Sequence, residues 1–455
     1  MLFLIPADRE FGASLRAMGE HMQGIAVKIR QYPLAAILLA GLVIRLVLAP
    51  LVHGYGYDMN VLANWSWHLR HTPLDEFYAY AESPDHLPGD LWFLWVAARL
   101  FTLFGGTNFE SGAMEFLIKL VPAVADVVIT ILLYSLVLHF RDKAAATRTA
   151  ALFLLNPAII FLTAIWGQWD AVSFSLLLGG FWIILRFPHW WLAAIPFLAW
   201  AMVIKPPMAL LVALVLVIPV WQSLRQTGSV RETVRRMAIP VAAAGVLAVG
   251  TVILLIRPFS IGLPGMDTTW RLTDRLNVAL EMYKFRSMAA ANIWMLGQGA
   301  LDRRPDDDVV FAGLTWHSIG NGLMLIALAL VFLMVARTVL QATSMKPERF
   351  IVLAMLAASL SFFMLPTRVH ERYLFPAVVL AILLAGLSGF ERESRNVAIL
   401  ISGTFFANLV VVFGGFRSYL PGVAGDFLYG PFPGLLALLN IGLLGLVFWR
   451  LRQTW

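Results

Sequence analysis

Apolar runs of about 16 to 25 residues, the length needed to cross a bilayer core, recur along the chain with short polar interruptions. They lie at 35–53, 115–139, 145–165, 169–186, 189–204, 206–222, 237–256, 317–336, 349–366, 373–388, 396–415 and 432–450. A backbone surrounded by lipid must satisfy its own N–H and C=O groups, so runs of this length predict helices. The pattern predicts an all-α polytopic membrane protein with about 12 transmembrane helices. A thirteenth apolar run, "LWFLWVAARLFTLFG" at 91–105, is short, rich in Trp and Phe and interrupted by Arg99. It is expected to lie along the interface rather than to cross. Residues 1–34 then form a cytoplasmic N-terminal segment and 35–455 a single transmembrane domain. The first 32 residues hold Asp8, Glu10 and Glu20 and no apolar core, so the first span is expected to serve as the membrane signal.

Placing 91–105 outside the count orients everything else. The basic loops "RDKAAATR" (141–148), "RQTGSVRETVRR" (225–236), "RTVLQATSMKPER" (337–349), "ERESR" (391–395) and the tail "RLRQTW" all fall on the side of Lys28 and Arg30. By the positive-inside rule that side is cytoplasmic. Residues 54–114 and 257–316 become long external loops, and chemistry is expected there because loops on a rigid scaffold carry it. Each long loop follows the first span of a six-span half, a layout that an internally duplicated transporter also shows.

Composition agrees with the pattern. The 455-residue chain is 60% hydrophobic and 13% charged, with a mean hydropathy of +0.78, values that belong to lipid-solvated proteins. The absence of cysteine excludes disulfides and thiolate metal sites. A net charge of +7 is explained by basic residues clustered between spans, so no nucleic-acid partner is expected.

The stretch "PTRVHERYLF" (366–375) places Arg368, His370, Glu371 and Arg372 at the outer end of one span and the start of the next. That runs against the usual distribution of positive charge. One explanation is that the arginines snorkel to lipid phosphates while Glu371 pairs with one of them. The other is a pocket for a phosphate ester, since Arg makes bidentate bonds to phosphate and His titrates near neutral pH. On the same face, Lys205 in "VIKPPMALL" sits where Pro206 and Pro207 end a helix, either as an anchor or as a further phosphate ligand. "IWGQWD" (165–170) offers Trp166, Gln168 and Asp170 to sugar hydroxyls, although Asp170 would equally serve as the N-cap of the next helix.

In the first external loop, Asp58 follows Gly54 and Gly56 and precedes an apolar stripe of Val61, Leu62, Trp65 and Leu69 at helical spacing. Asp58 is either the N-cap of that interfacial helix or a general base, partly desolvated and facing the cationic groups. "SPDHLPGDLW" adds Asp85, His86 and Asp90. Two adjacent ligands do not make a coordination sphere, and no metal is expected there. Within the membrane, Asp126 is expected to pair with a buried cation such as Arg45, with Lys119 two turns before it.

"YDMNVLANWSWHL", "DHLPGDLWFLW", "IKLVPAVAD", "LNPAIIFLTAIWGQWDA", "VIKPPMALL", "AANIWML" and "RVHERYLFP", in this order from about residue 55 to 376, resemble the bacterial branch of the GT-C glycosyltransferases. The similarity is specifically to mannosyltransferases related to the GPI-anchor second mannosyltransferase. The resemblance implies a GT-C-like fold and an inverting transferase that moves one sugar, mannose as the first expectation, from a polyprenyl-phosphate-linked donor to a lipid, glycan or protein acceptor on the external face of the bacterial plasma membrane. It implies no cofactor. It assigns the catalytic base to Asp58 and maps the family's polar segments onto Trp166, Gly167, Gln168, Asp170, Lys205, His370, Glu371 and Arg372. Together with the chemistry of the residues themselves, donor phosphate binding is expected at Lys205, His370, Arg372 and Arg368, and sugar or acceptor contacts at Trp166, Gln168, Asp170, Asp85, Asp90 and Glu371. Relatives commonly read "PPG" where this chain reads "LPGD" at 87–90. The loop 257–316, with "YKFRSMAAANIW", is expected to cover the site. The competing reading is a transporter or flippase of sugars or lipid-linked sugars, with its site near the bilayer midplane.

Overall fold

The computed structural model describes residues 31–297, 303–341, 347–417 and 427–453. Most of the predicted segment 1–34, part of the basic loop at 337–349 and the last two residues lie outside them. The described chain is helical almost throughout, its strands confined to two short pairs, Ile261–Gly262 with Trp270–Arg271 and Val309–Phe311 with Leu314–Thr315. In chain order the principal helices are α1 (Pro33–Leu51), α2 (Gly56–His71), α3 (Pro88–Leu103), α4 (Gly112–Phe140), α5 (Lys143–Leu154), α6 (Asp170–Arg186), α7 (Ile195–Ile204), α8 (Met208–Thr227) and α9 (Val230–Ile256). They continue with α10 (Leu272–Glu281), α11 (Trp316–Leu340), α12 (Pro347–Met364), α13 (Phe375–Leu387), α14 (Arg392–Arg417) and α15 (Pro431–Gln453).

Eight of these, α1, α4, α8, α9, α11, α12, α14 and α15, are long and apolar enough to cross a membrane, and the bent pair 143–154 and 157–166 makes a ninth among the described residues. The protein is therefore an all-α, multi-pass membrane protein. The run at 145–165 is not one straight helix as its hydrophobicity suggests. Pro157 has no N–H to give the preceding turn, Asn156 caps the new start by accepting from the amide of Ala158 at 3.0 Å, and the axis turns by 41°. α6, α7 and α13, of 17, 10 and 13 residues, are shorter than a bilayer core is thick. α13 is buried along almost its whole length.

Connections gather at two ends of the bundle. At one end Arg141 donates to the carbonyl of Leu387 at 2.7 Å, Arg148 stacks over Phe390, Arg349 pairs with Glu391 and Arg450 with Glu393. At the other end lie the long segments 52–111, 257–297 and 303–315 and the turns at 167–169, 205–207 and 365–374. These are stitched together by Asp58 with Gln168, Lys205 with Asp170, and Met288 N donating to Val369 O at 3.0 Å. α3, which covers the apolar run 91–105, packs across α2, α4, α7 and α9 at this end. It begins with Pro at its first position, and Gly89 lets its backbone lie against Val203 and Ile204, where a Cβ would stand 2.5 Å from the amide nitrogen of Ile204.

The expected intramembrane pair is present. Arg45 Nε donates to Asp126 at 2.9 Å, both side chains are fully buried, and Arg45 also donates to the carbonyls of Gly41 and Leu154 while Thr163 donates to Asp126 at 2.7 Å. Lys119 pairs with Glu115 at 2.7 Å and donates to the carbonyls of Ala49 and Val52. A cation at the end of α1 suits the partial negative charge of a helix C-terminus.

Candidate active site

The break in the 143–166 pair shapes the first wall of the site. After Pro157 the chain winds into a π-helical turn, Phe161–Trp166, and leaves it through Gly167 at φ +88°. Only glycine fits there comfortably, because a Cβ would meet Met59 at 2.9 Å and Lys119 at 3.1 Å. The turn presents Trp166 Nε1 and Gln168 Nε2 to Asp58 Oδ2 at 3.1 and 2.6 Å. Asp58 is thus not the N-cap of α2. It sits within the first turn, the cap position being Tyr55, and its carboxylate is held by side chains from another helix. Burial pushes its pKa above the ordinary carboxylate value, while the Arg372 charge and the two hydrogen bonds pull it back.

Asp170 is not an N-cap either. It is the first residue of α6, after Trp169, and it ion-pairs with Lys205 at the α7–α8 break. Arg372 Nε stands 4.0 Å from the second oxygen of Asp170, and its guanidinium reaches Glu371 at 3.5 Å and His370 Nδ1 at 3.2 Å. Lys205 also lies over the ring of Tyr373, 4.8 Å from its centroid. Burial holds the Lys205 pKa down despite Asp170. Burial opposes charge on Arg372 too, but Glu371, Asp170 and Asp58 outweigh it and keep the guanidinium charged. His370 is driven well below its usual pKa by burial and by the charges of Arg372, Lys205 and Arg303, so it is a neutral donor and acceptor rather than a cation. Burial raises Glu371 to about 7.

These groups line a cavity of about 680 Å³. Asp58, Gln168, Asp170, Lys205, His370 and Arg372 form its polar side, together with Asp85, His86 and Asp90 from the first long segment. His86 Nδ1 and Asp90 Oδ2 are 2.5 Å apart, and although burial opposes its charging, Asp90 raises His86 to about 9. Asp90 Oδ1, Asp170 Oδ2 and Trp169 Nε1, all buried on this wall, have no hydrogen-bond partner among the described residues. Apolar lining comes from Leu210 and Leu211 of α8, Met324 and Leu325 of α11 and Phe362 of α12, and from Val61, Leu62, Leu276 and Leu280 of α2 and α10; Leu325 is also exposed on the surface. A smaller cavity of about 350 Å³ shares Tyr57, Asp58, Tyr283, His370 and Arg372 with the first and adds Trp166 and Glu371. Every candidate residue from the sequence therefore borders one of two adjoining spaces.

Arg368 departs from its expected role. Its guanidinium is spent on the buried carboxylate of Asp306, at 2.8 and 3.2 Å, and on the carbonyl of Leu280 at 2.8 Å. Thr367 and His317 converge on the same carboxylate at 2.6 and 3.2 Å. Arg368 is a clasp between the segment 257–315 and the turn 365–374, not a free phosphate ligand. Asp306 was unmarked by sequence reasoning, as were Tyr283, whose ring meets the His370 ring edge-on at 5.1 Å, and Tyr373. Both tyrosines lie against the polar groups, in a tyrosine-containing run, "MYKF" for one and "RYLF" for the other, a signal too common to single them out. Met288 and Ala289 of the second long segment make backbone bridges to His370. No group of three or more metal-ligating side chains occurs among the described residues. No protein-family model matches the chain, and a comparison with curated proteins gives no match.

Proposed function

We propose that this protein is an inverting glycosyltransferase with a GT-C-like fold, which moves one sugar, mannose as first choice, from a polyprenyl-phosphate-linked donor to a hydroxyl acceptor. The observation that carries the reading is one cavity with two kinds of lining: a carboxylate, Asp58, together with Lys205, His370 and Arg372, and apolar side chains that extend to the surface-exposed Leu325. A lipid-linked sugar phosphate has those same two halves.

In this reading α6, α7 and α13 also cross, giving about twelve spans, and alternate connections fall at opposite ends. The end carrying Arg141, Arg148, Arg225, Arg235, Arg349 and Arg450 is cytoplasmic by the positive-inside rule, and the site faces outward from a bacterial plasma membrane. The donor phosphate rests against Arg372 and Lys205, with His370 giving a hydrogen bond. Asp58 takes the proton of the acceptor hydroxyl. The hydroxyl oxygen bonds to the anomeric carbon as that carbon's bond to the phosphate oxygen breaks, which inverts the centre, and the electron pair leaves with the phosphate. Arg372 and Lys205 stabilise the charge that grows there, the electrostatic contribution that is often largest in catalysis.

The test is purified protein incubated with a panel of polyprenyl-phosphate sugars, with products identified by mass, for the native chain and Asp58→Asn. A transferase yields a new glycoside with one donor, and the variant binds that donor but loses turnover. Movement of intact substrate across a proteoliposome membrane with no new glycoside identifies a transporter and overturns the proposal.

A further inference from the structure

We infer that the acceptor is a lipid-free, water-borne carbohydrate that enters through the smaller cavity, a deepening that rests on the glycosyl-transfer reading. The argument begins from where each space obtains its walls. The 680 Å³ cavity takes apolar lining from the long helices α8, α11 and α12 as well as from α2 and α10, and at Leu325 that lining reaches the exposed surface of a span, which suits an isoprenoid tail. The 350 Å³ cavity has no counterpart. Apart from Trp166, its lining comes from the connections at this end of the bundle and not from spans: Tyr55, Ser287, Met288, Ala289, Arg303 and Glu371, beside the shared residues. Met288 and Ala289 are the aliphatic part of that lining, too little to sheathe a lipid tail. The rest suits a sugar: aromatic rings for its apolar face, the buried Glu371 carboxylate to accept from hydroxyls, and the exposed Arg303 guanidinium at the side.

Asp58 belongs to both spaces, as do Arg372 and His370. A hydroxyl arriving through the smaller space meets the same Asp58 carboxylate that borders the larger one, beside the shared Arg372 and His370. A glycolipid acceptor would need apolar lining for a second tail, and the smaller cavity offers only Met288 and Ala289.

The chain holds no cysteine, so single cysteines report on each space separately. Arg303→Cys, at an exposed position, marks the smaller cavity and Leu325→Cys the apolar lining of the larger one. In proteoliposomes, a charged methanethiosulfonate should modify Arg303→Cys at least about tenfold faster than Leu325→Cys, because burying a charge in apolar surroundings is strongly disfavoured. A lipid-soluble maleimide should reverse the order. Equal or inverted rates for the charged reagent overturn the inference, whatever the activity. The second arm offers the donor-loaded native protein three acceptors: lipid-free manno- and gluco-oligosaccharides, glycolipids with the same headgroups, and Ser/Thr peptides. Transfer to an oligosaccharide supports the inference; transfer confined to glycolipid or to peptide overturns it. Absence of donor turnover in every arm, hydrolysis included, instead counts against glycosyl transfer itself, and the labelling rates still decide which space is open to water.

Discussion

Two clusters of buried ions sit in this bundle, and they are built from similar parts. Around Asp126, Arg45 is sealed among helices with Thr163 and two backbone carbonyls, and neither ion has any exposure. Around Asp170, Lys205 and Arg372 keep 21% and 19% of their side chains exposed, and the space they face is a cavity. A buried pair surrounded by packing contributes specificity of assembly, whereas a cation left facing a void is poised for an anion. Burial alone therefore does not mark a functional charge in a membrane protein. What stands on the fourth side does.

The largest expected effect falls on the sealed cluster. Arg45→Met leaves the Asp126 carboxylate buried and unpaired, and should lower stability by about 3–5 kcal/mol, read as a fall in Tm and in folded yield from detergent extracts. Arg45→Met combined with Asp126→Leu should recover most of that loss; a double variant as unstable as the single one would mean that the pair does more than neutralise itself. Arg372→Ala tests the other side of the comparison. It should slow glycosyl transfer by about 10²–10³-fold, the usual effect of removing one preorganised group that stabilises developing charge, while Tm changes far less than for Arg45→Met. If the two variants lose stability equally, the distinction between sealed and open clusters fails.

Asp306→Asn lies between these extremes. It weakens the clasp that holds Arg368 and should lower stability by about 1–3 kcal/mol, with faster proteolysis of the segment 257–315. The smallest effect is on pH. Asp58 must lose its proton to act as base, so kcat/KM should rise with pH along an acid limb set above the ordinary carboxylate range. Gln168 donates to the ionised carboxylate, so Gln168→Leu should move that limb upward by about one unit. A downward move would place the limb on a different group.

The eight long apolar helices and the bent pair 143–166 were legible in the sequence because lipid imposes one rule on every residue that enters it. The pairing of Arg45 with Asp126 was legible for a related reason, since an unpaired charge there is so unfavourable that a partner can be inferred from cost alone. Asp58, Gln168, Lys205, His370 and Arg372 could be singled out as polar groups at span ends, and the fold does bring them to one cavity. Their capping alternatives could not be settled in one dimension: Asp58 and Asp170 stand at helix starts, as caps do, and only the Trp166–Gln168 turn and Lys205 reveal their partners. The partner of Arg368 was hidden for a converse reason. That partner is one of three consecutive aspartates, 306 to 308, and nothing local distinguishes the fully buried Asp306 from Asp307 and Asp308. Long segments without periodic pattern get their contacts from closure of the fold, and closure leaves no trace in spacing.

The absent side chain at Gly89 has a mechanical consequence. With backbone resting directly on backbone at Val203 and Ile204, and Trp200 Nε1 donating to the Gly89 carbonyl at 2.7 Å, the start of α3 and the end of α7 behave as one strut. His86 and Asp90 ride on one arm of that strut and Lys205 on the other, so the gauge between them is set by contact rather than by charge. A single methyl inserted there acts as a wedge, prying the arms apart without touching any ionised group.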